Sequence, residues 1–293
     1  MTKVGWIGTG IMGRSMCGHL QEAGYPLVVY NRTKAKAQEL LDAGAEWAKN
    51  PAAVAAKSEI IFTILGFPQD VEEVYFGPGG LLEVAKEGTL FVDMTTSEPS
   101  LAQRVAGAAK EKGCGALDAP VSGGDKGARE GTLAIMVGGD EEAFEKVRPL
   151  LECFGGNIAL MGPAGAGQHT KACNQTLVAG NTIGMVESLL YGYRAGLDLD
   201  QLIDVIGQGA ASSWAINNMG RRIAKGDFDP GFMIKHYVKD MGIVLTEAKR
   251  MNLALPGLAL VNQFYLTAMA LGWENLGHQS LYRILARMNG EES

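Results

Sequence analysis

The sequence predicts an α/β chain in which a doubly wound parallel sheet comes first and an all-α domain built on one long helix follows. Up to Gly162, short apolar runs alternate with helical patterns, and strands that alternate with helices form a parallel sheet covered on both faces. After Gly162 the strand patterns stop, and helical periods continue to Met288. We therefore predict one domain in residues 1–163 and an all-helical domain in residues 164–293.

Apolar runs predict the strands in chain order. Before residue 121 they lie at Lys3–Gly8, Leu27–Tyr30, Ile60–Leu65, Leu90–Met94 and Ala116–Pro120. Two later strands are predicted at Leu133–Val137 and Ile158–Met161.

Capping residues mark where the intervening helices begin and end. Gly24 ends the first helix, because glycine accepts the left-handed conformation that helix C-termini favour. Thr33 is a candidate N-cap for the second helix, which ends at Gly44. Asn50-Pro51 predicts the cap and the first residue of a third helix. Further helices are predicted at Ser97–Lys112, Glu141–Phe154 and His169–Ala195, and a loop rich in Gly, Ala and Ser at Gly207–Ser213.

Composition excludes several classes of partner. The chain has 293 residues and is 47% hydrophobic, which is enough for one large core or two smaller ones. The net charge is −6, whereas nucleic-acid binding needs a basic face, so no nucleic-acid partner is expected. The four cysteines form no C-x-x-C pair and the four histidines show no ligand spacing, so we expect no metal site. Reduced thiols favour a cytoplasmic location.

One uncharged segment, Met251–Trp273, is as long as a membrane span, which takes about 20 apolar residues. It contains several polar side chains, and Pro256-Gly257 lies in its first third. These residues favour a helix buried in a domain core or a subunit interface, so no membrane association is expected. The apolar run from Val4 is broken by Arg14 and predicts a strand rather than a signal peptide.

A glycine-rich motif follows the first predicted strand: Gly8, Thr9, Gly10, Ile11, Met12 and Gly13 form G-x-G-x-x-G. Because the motif opens a helical pattern, it predicts a dinucleotide site in a Rossmann-type sheet. Gly8 permits the tight turn, Gly10 lets the backbone approach a pyrophosphate, and Gly13 lets helix and strand pack closely. The helix N-terminus then presents free N–H groups to the phosphates. A purely structural turn is the alternative.

The end of the second strand, Asn31-Arg32-Thr33, indicates which cofactor the motif holds. An NAD site would carry an Asp or Glu here to accept hydrogen bonds from the ribose. Neutral Asn31 removes the repulsion that a 2′-phosphate would feel, and the Arg32 guanidinium can stack on adenine and pair with the phosphate. NADP is therefore favoured over NAD. FAD and S-adenosylmethionine fit less well, and a solvated surface Arg32 is the alternative.

Two further segments carry chemistry. Asp118–Gly124 follows a strand, and its Ser122-Gly123-Gly124 turn offers a hydroxyl and unhindered N–H groups to a carboxylate, although a plain loop fits equally. Lys171 and Asn174 share one face of the long helix, in a stretch with no other charge nearby. Taken alone, without the other motifs, Lys171 is better interpreted as a lysine that extends from a packed helix to solvent.

Four motifs occur in order at compatible spacing: Gly8–Gly13, Asp118–Gly124, the G-x-x-G-x-G-x-x-x-K-x-x-N stretch Gly162–Asn174, and Lys239-Asp240. Together they resemble the β-hydroxyacid dehydrogenase family, which includes 3-hydroxyisobutyrate dehydrogenase, tartronate semialdehyde reductase and glyoxylate/succinic semialdehyde reductases. The resemblance covers nearly the whole chain. The joint pattern is specific, although each motif alone is not.

The resemblance implies roles for individual residues. Lys171 matches the catalytic lysine of the family and Asn174 its neighbouring active-site asparagine. The substrate-carboxylate loop corresponds to Ser122, Gly123 and Gly124, and the same cleft is lined by Phe232 and Asp240. The residues that correspond to cofactor contacts are Leu65 and Gly66 in the loop under the cofactor, Thr96 near the nicotinamide, and Lys239. Gly66 departs from the proline that members often carry.

The resemblance also implies a reaction and an assembly. Hydride passes between the nicotinamide and a small β-hydroxy acid or its semialdehyde, and Lys171 gives or takes the proton. The Ser-Gly-Gly turn is closer to the hydroxyisobutyrate and tartronate semialdehyde enzymes, whereas Asn31-Arg32-Thr33 resembles the NADP-using reductases. The relatives pack subunits through their helical half, so a homodimer or homotetramer is expected. A catalytically silent dinucleotide-binding scaffold or redox sensor, or an imine-reducing relative, is the alternative.

Overall fold

The computed structural model describes residues 2–291. Over these residues it forms two compact units, one up to Lys171 and one from Ala172 onward. One sheet belongs to the first unit, with strands β1 Val4–Ile7, β2 Leu27–Tyr30, β3 Glu46–Trp47, β4 Ile60–Thr63, β5 Leu90–Asp93, β6 Gly115–Asp118, β7 Val121–Ser122, β8 Leu133–Gly138 and β9 Gly155–Gly162. Its helices are α1 Ile11–Glu22, α2 Gln38–Asp42, α3 Pro51–Ala55, α4 Pro68–Phe76, α5 Leu81–Val84, α6 Pro99–Glu111, α7 Gly124–Glu130 and α8 Glu141–Leu151.

The strand order of the sheet is β3-β2-β1-β4-β5-β6-β8-β7, and β9 pairs with β8. Neighbours from β3 to β6 are parallel, as the sequence predicts. The order reverses between β1 and β4, which places a topological switch point at their carboxyl ends. Gly8 follows β1 and Leu65 follows β4, so the glycine-rich motif lies at the edge of the sheet where such folds bind ligands.

The apolar side chains of the first unit alternate between the two faces of the sheet, as strand geometry requires. Trp6 and Phe62 lie on one face, where their rings stack with centroids 5.3 Å apart. Ile7 and Phe91 belong to the cluster on the other face. Both faces are therefore buried, and the doubly wound fold class is confirmed.

Local signals predicted some element boundaries and failed at others. Asn50 caps α3, because the Ala53 N–H donates to its Oδ1 at 2.8 Å. Thr33 does not act as predicted: its side chain makes no capping hydrogen bond, and the segment divides into a 3₁₀ turn, Lys34–Ala37, and the short helix α2. A single capped helix at this position was therefore the wrong prediction.

The second unit is helical. Its elements include α9 Ala166–Arg194, which begins in the first unit, then α10 Leu199–Ile206, α11 Arg221–Ala224, α12 Ile234–Arg250, α13 Pro256–Ala270 and α14 Leu281–Met288. Before α11 the chain forms a π-helical segment, Ala215–Gly220. The core of the unit collects the buried faces of these helices around Leu189, Tyr237, Tyr265 and Ile284.

The uncharged Met251–Trp273 segment forms α13 and its flanking turns. One face of α13 is buried through Leu258, Val261 and Tyr265, whereas Leu260 on the opposite face is 57% exposed. The predicted burial of this helix in a domain core is therefore observed for one face of α13 only. Within residues 2–291, none of the helices combines the length and the apolar character needed to cross a bilayer.

A buried histidine makes the stability of the chain depend on pH. His278 packs against the rings of Phe232 and Tyr237, and burial lowers its pKa to about 4. Its unfolded pKa is about 6.5, so the neutral form stabilises the fold above pH ~6.5, and this contribution is lost as pH falls toward ~4.

His278→Gln is therefore expected to weaken the pH dependence of folding. Between pH ~7 and ~5 the wild type should lose about 2 kcal/mol more unfolding free energy than the variant. Urea denaturation of both proteins at the two pH values measures the difference. Equal losses of unfolding free energy in the two proteins would show that His278 does not cause this pH dependence.

Candidate active site

The three glycines of the glycine-rich loop differ in their surroundings. Gly8 has φ +100°, and a Cβ on it would lie 2.0 Å from the Ile64 carbonyl oxygen. A Cβ on Gly13 would lie 2.0 Å from the Gly8 carbonyl oxygen. Around Gly10, in contrast, no atom lies within 4 Å of the Cβ position, and the residue is exposed. Gly8 and Gly13 are therefore required by internal packing, whereas Gly10 leaves outward space that fits a pyrophosphate.

Asn31 joins this loop to the end of β2. Its Oδ1 accepts the Thr9 N–H at 3.1 Å, and its Nδ2 donates to the Thr33 carbonyl at 2.9 Å. Ile11 and Met12 follow in the first turn of α1, where Ile11 is 49% exposed. Asn31 therefore shapes the loop in addition to removing negative charge from the end of the strand.

Arg32 places a cation at the same edge. Its side chain is 76% exposed, and Nη1 lies 2.9 Å from Asp70 Oδ1. The other Asp70 oxygen accepts the Phe67 N–H at 3.1 Å and so caps α4. The ion pair therefore joins the end of β2 to the first turn of α4, which follows the loop that carries Leu65 and Gly66. An exposed guanidinium at this place fits the 2′-phosphate of NADP.

A buried polar network, which the sequence did not predict, lies under the ends of β4 and β5. Asp93 Oδ1 accepts the Thr63 hydroxyl at 2.8 Å and the Thr95 N–H at 3.1 Å. Burial raises the Asp93 pKa to about 6, despite these hydrogen bonds. Thr95 Oγ1 in turn accepts the Leu65 N–H at 2.9 Å. The network thus fixes the two loops that carry Leu65 and Thr96.

Asp118 holds the start of the long helix against the sheet. Its two oxygens accept the N–H groups of Gly165 at 2.7 Å and Gln168 at 2.8 Å. Burial raises the Asp118 pKa, and these backbone hydrogen bonds act in the opposite direction. A carboxylate at a helix N-terminus also interacts favourably with the helix dipole. The first turn of α9 is therefore tied to the end of β6.

Lys171 lies one turn farther along the helix. It is only 6% exposed, and its Nζ donates to the Val121 carbonyl at 2.8 Å. Val121 immediately precedes the Ser122–Gly124 turn, in which Gly123 has φ +132°. The structure therefore brings the predicted catalytic amine to the predicted carboxylate loop. A lysine that extends from the helix to solvent is the wrong interpretation.

The remaining predicted residues belong to the second unit. Asn174 Nδ2 donates to Gln175 Oε1 at 2.7 Å, and Gln175 Nε2 donates to Asp240 Oδ2 at 2.6 Å. Lys239 Nζ lies 2.8 Å from the other Asp240 oxygen. Asn174, Lys239 and Asp240 are thus linked through Gln175, while Phe232 packs in the aromatic cluster around Tyr237. Their roles toward substrate and cofactor stay predictions.

Sequence reasoning missed the buried residues that hold this machinery. Gln168 occupies an unspecified position of the Gly162–Asn174 motif, Gln175 lies just beyond that motif, and Asp93 lies within the predicted apolar strand Leu90–Met94. A polar residue at the end of an otherwise apolar run was the available signal, since buried polar groups need partners. Among residues 2–291, no group of three or more His, Cys, Asp or Glu side chains is arranged to hold a metal ion.

Comparison with known proteins assigns both halves of the chain. Residues 3–162 match the family described as the NAD binding domain of 6-phosphogluconate dehydrogenase. Residues 165–285 match the family described as NAD-binding of NADP-dependent 3-hydroxyisobutyrate dehydrogenase.

Individual relatives agree with these matches. The probable 3-hydroxyisobutyrate dehydrogenase-like 1, mitochondrial, of Arabidopsis thaliana is 51% identical over 98% of this chain and 86% of its own. The 2-hydroxy-3-oxopropionate reductase of Escherichia coli is 41% identical over 98% of both chains. The structure of Mycobacterium tuberculosis 3-hydroxyisobutyrate dehydrogenase with L-serine superposes with a TM-score of 0.87, at 30% identity, over 97% of this chain and 99% of that chain.

The fold, the two family matches and these relatives place the chain in one family. It belongs to the β-hydroxyacid dehydrogenases. It is an NAD(P)-dependent oxidoreductase of the 3-hydroxyisobutyrate dehydrogenase class, acting on CH–OH groups. The predicted fold class, enzyme class and nicotinamide cofactor are thereby confirmed.

Proposed function

We propose that this enzyme interconverts a small β-hydroxy acid and its semialdehyde, with NADP as the preferred cofactor and Lys171 as the proton donor and acceptor. The observation that supports this most directly is the buried Lys171 amine, 2.8 Å from the Val121 carbonyl and next to the Ser122–Gly124 turn. The bound cofactor supplies or accepts the hydride. The protein orients the reactants and moves the proton.

Lys171 suits both directions of proton transfer. In reduction its ammonium protonates the developing alkoxide, and in oxidation the neutral amine accepts the hydroxyl proton. The Val121 carbonyl holds the amine by accepting one of its protons and so limits its rotation.

The Ser122–Gly124 turn suits a carboxylate. Gly123 and Gly124 both have positive φ, so the backbone here curves without side chains that would shield its N–H groups. The relatives support a short acid: the Mycobacterium tuberculosis enzyme is described with L-serine, which carries a β-hydroxyl, and the Escherichia coli enzyme is named for 2-hydroxy-3-oxopropionate. A carboxylate fixed at this turn would position the β-carbon of the acid as the reacting one.

A panel of candidate substrates tests this proposal. NADPH and NADH oxidation is followed with glyoxylate, succinic semialdehyde, tartronate semialdehyde and methylmalonate semialdehyde. We expect NADPH-dependent turnover of at least one of them with kcat/KM above ~10⁴ M⁻¹s⁻¹. Absence of turnover with all four, and with a cyclic imine added to the panel, would support a silent scaffold. Turnover of the cyclic imine alone would support the imine-reducing alternative.

Arg32→Ala tests the cofactor preference. Loss of a charge-assisted contact to a 2′-phosphate should raise the KM for NADPH by about 10- to 100-fold, and the KM for NADH much less. Arg104→Ala is a matched control, because Arg104 also forms an exposed ion pair, 2.9 Å from Glu72, in the same unit. Equal effects of Arg32→Ala on both cofactors would remove Arg32 from the phosphate site.

The helical half supports a homodimer or homotetramer. Large apolar side chains are exposed along α9 and α13, with Leu177 66%, Tyr191 78% and Leu260 57% exposed. Apolar surface of this kind is typical of subunit interfaces. Sedimentation velocity at micromolar concentration should show an oligomer, and Leu177→Asp should weaken it while Val84→Asp in α5 should not. A monomeric wild type would contradict this assembly.

A further inference from the structure

One side chain joins the first turn of α9 to the loop after β5. Gln168 is 2% exposed, and its Nε2 donates to the Thr95 carbonyl at 2.8 Å. Its Oε1 accepts the Ser97 N–H at 2.9 Å. Both ends of the amide therefore contact backbone atoms on either side of Thr96, 71 and 73 residues away in the chain.

The same residue is also anchored through its backbone. The Gln168 N–H donates to Asp118 Oδ2 at 2.8 Å, which ties the turn to the end of β6. A Cβ on the preceding residue, Gly167, would lie 2.6 Å from the Asp118 carbonyl oxygen, so the helix start and this strand end are in close contact. Gln168 thus contacts the ends of two neighbouring strands, and Lys171 follows three residues later.

We propose that Gln168 is a positioning residue that fixes the distance between the Thr96 loop and the Lys171 amine. This inference rests on the proposed function, in which Lys171 transfers the proton and Thr96 lies near the nicotinamide. Because both ends of the amide already bond to the backbone, Gln168 acts through the two segments that it joins. Without the Gln168 side chain, the Lys171 amine can still transfer a proton, but its distance from the Thr96 loop is no longer fixed.

Gln168→Leu removes both side-chain hydrogen bonds and keeps a similar volume, whereas Gln168→Glu keeps an acceptor for the Ser97 N–H. Displacements of about 1 Å can cost ~10²-fold in rate, so Gln168→Leu should lower kcat at least ~10-fold. The KM for NADPH should stay within about threefold, since no cofactor contact is removed. The primary isotope effect with NADPH deuterated at C4 should rise, because hydride transfer becomes slower than product release. Gln168→Glu should retain more of the rate.

Gln21→Leu is the matched control. Gln21 also bridges two elements through its amide, donating to the Leu40 carbonyl at 3.1 Å and the Ala43 carbonyl at 2.8 Å, away from the site. It should lower the melting temperature without changing kcat or the isotope effect. A folded Gln168→Leu enzyme with kcat and isotope effect no different from Gln21→Leu would overturn the proposal. If Gln168→Leu does not fold, kcat and the isotope effect of Gln168→Glu test the proposal in its place.

Lys171→Ala in the same assay distinguishes failure of the Gln168 positioning role from failure of the proposed function. If Lys171→Ala loses turnover while the Gln168 variants keep wild-type rates and isotope effects, only the positioning role fails. If Lys171→Ala keeps turnover, the proposed function fails first.

Discussion

Lys171→Ala is expected to lower kcat by about 10²- to 10⁴-fold, the range that general acid–base groups contribute. The variant lacks the only group that the proposal assigns to proton transfer, so the alkoxide formed during reduction must be protonated by water. The cofactor contacts assigned to the glycine-rich loop and Arg32 are unchanged. The dissociation constant for NADPH should therefore stay within about threefold of the wild-type value.

Two further variants separate proton transfer from charge and from packing. Lys171→Arg keeps a cation that does not deprotonate, so oxidation of the hydroxy acid should remain as slow as in Lys171→Ala. Lys146→Ala removes a lysine in an exposed ion pair with Glu142 and should leave kcat unchanged. Steady-state kinetics, NADPH fluorescence titration and thermal melting of each variant are the measurements. A kcat within a few-fold of wild type for folded Lys171→Ala would exclude the assigned role.

Much of the fold could be predicted because its signals are local. Strand β2 begins and ends where the apolar run Leu27–Tyr30 does, and Asn50 caps α3 as its residue type indicates. The failure at Thr33 is also local, since the segment forms a 3₁₀ turn whose N-terminus the hydroxyl does not cap. The antiparallel pairing of β8 with β6 was not predicted, because register across a sheet depends on residues far apart in the chain.

Site residues could be predicted from the sequence only where they belong to a motif. Lys171 was identified because its spacing from the preceding glycines matches a family pattern. Gln168, three residues earlier, was not, because its function becomes visible only when Thr95 and Ser97 lie beside it. Asp93 is similar: its partner Thr63 is 30 residues away, on a neighbouring strand. Buried polar networks at strand ends connect distant segments, so a single sequence shows their members without showing their contacts.

Two alanine substitutions in the glycine-rich loop are expected to have opposite consequences. At Gly13 the new Cβ would lie 2.0 Å from the Gly8 carbonyl oxygen and 2.7 Å from Ile64 Cγ2. Backbone must move to relieve such contacts, so Gly13→Ala should lower the unfolding free energy by more than the ~1–3 kcal/mol typical of overpacking. At Gly10, φ is −72° and the Cβ position is open, so Gly10→Ala should fold with nearly wild-type stability.

The space next to Gly10 is where the pyrophosphate should approach the backbone. A methyl group there would separate the phosphate oxygens from the N–H groups at the start of α1, and loss of one or two such bonds should weaken NADPH binding about 10- to 100-fold. Thermal melting and NADPH titration of both variants distinguish the two effects. If Gly10→Ala binds NADPH as tightly as the wild type, the pyrophosphate does not lie against this residue. If Gly13→Ala has the same melting temperature as the wild type, the close approach of α1 to β1 is not required for stability.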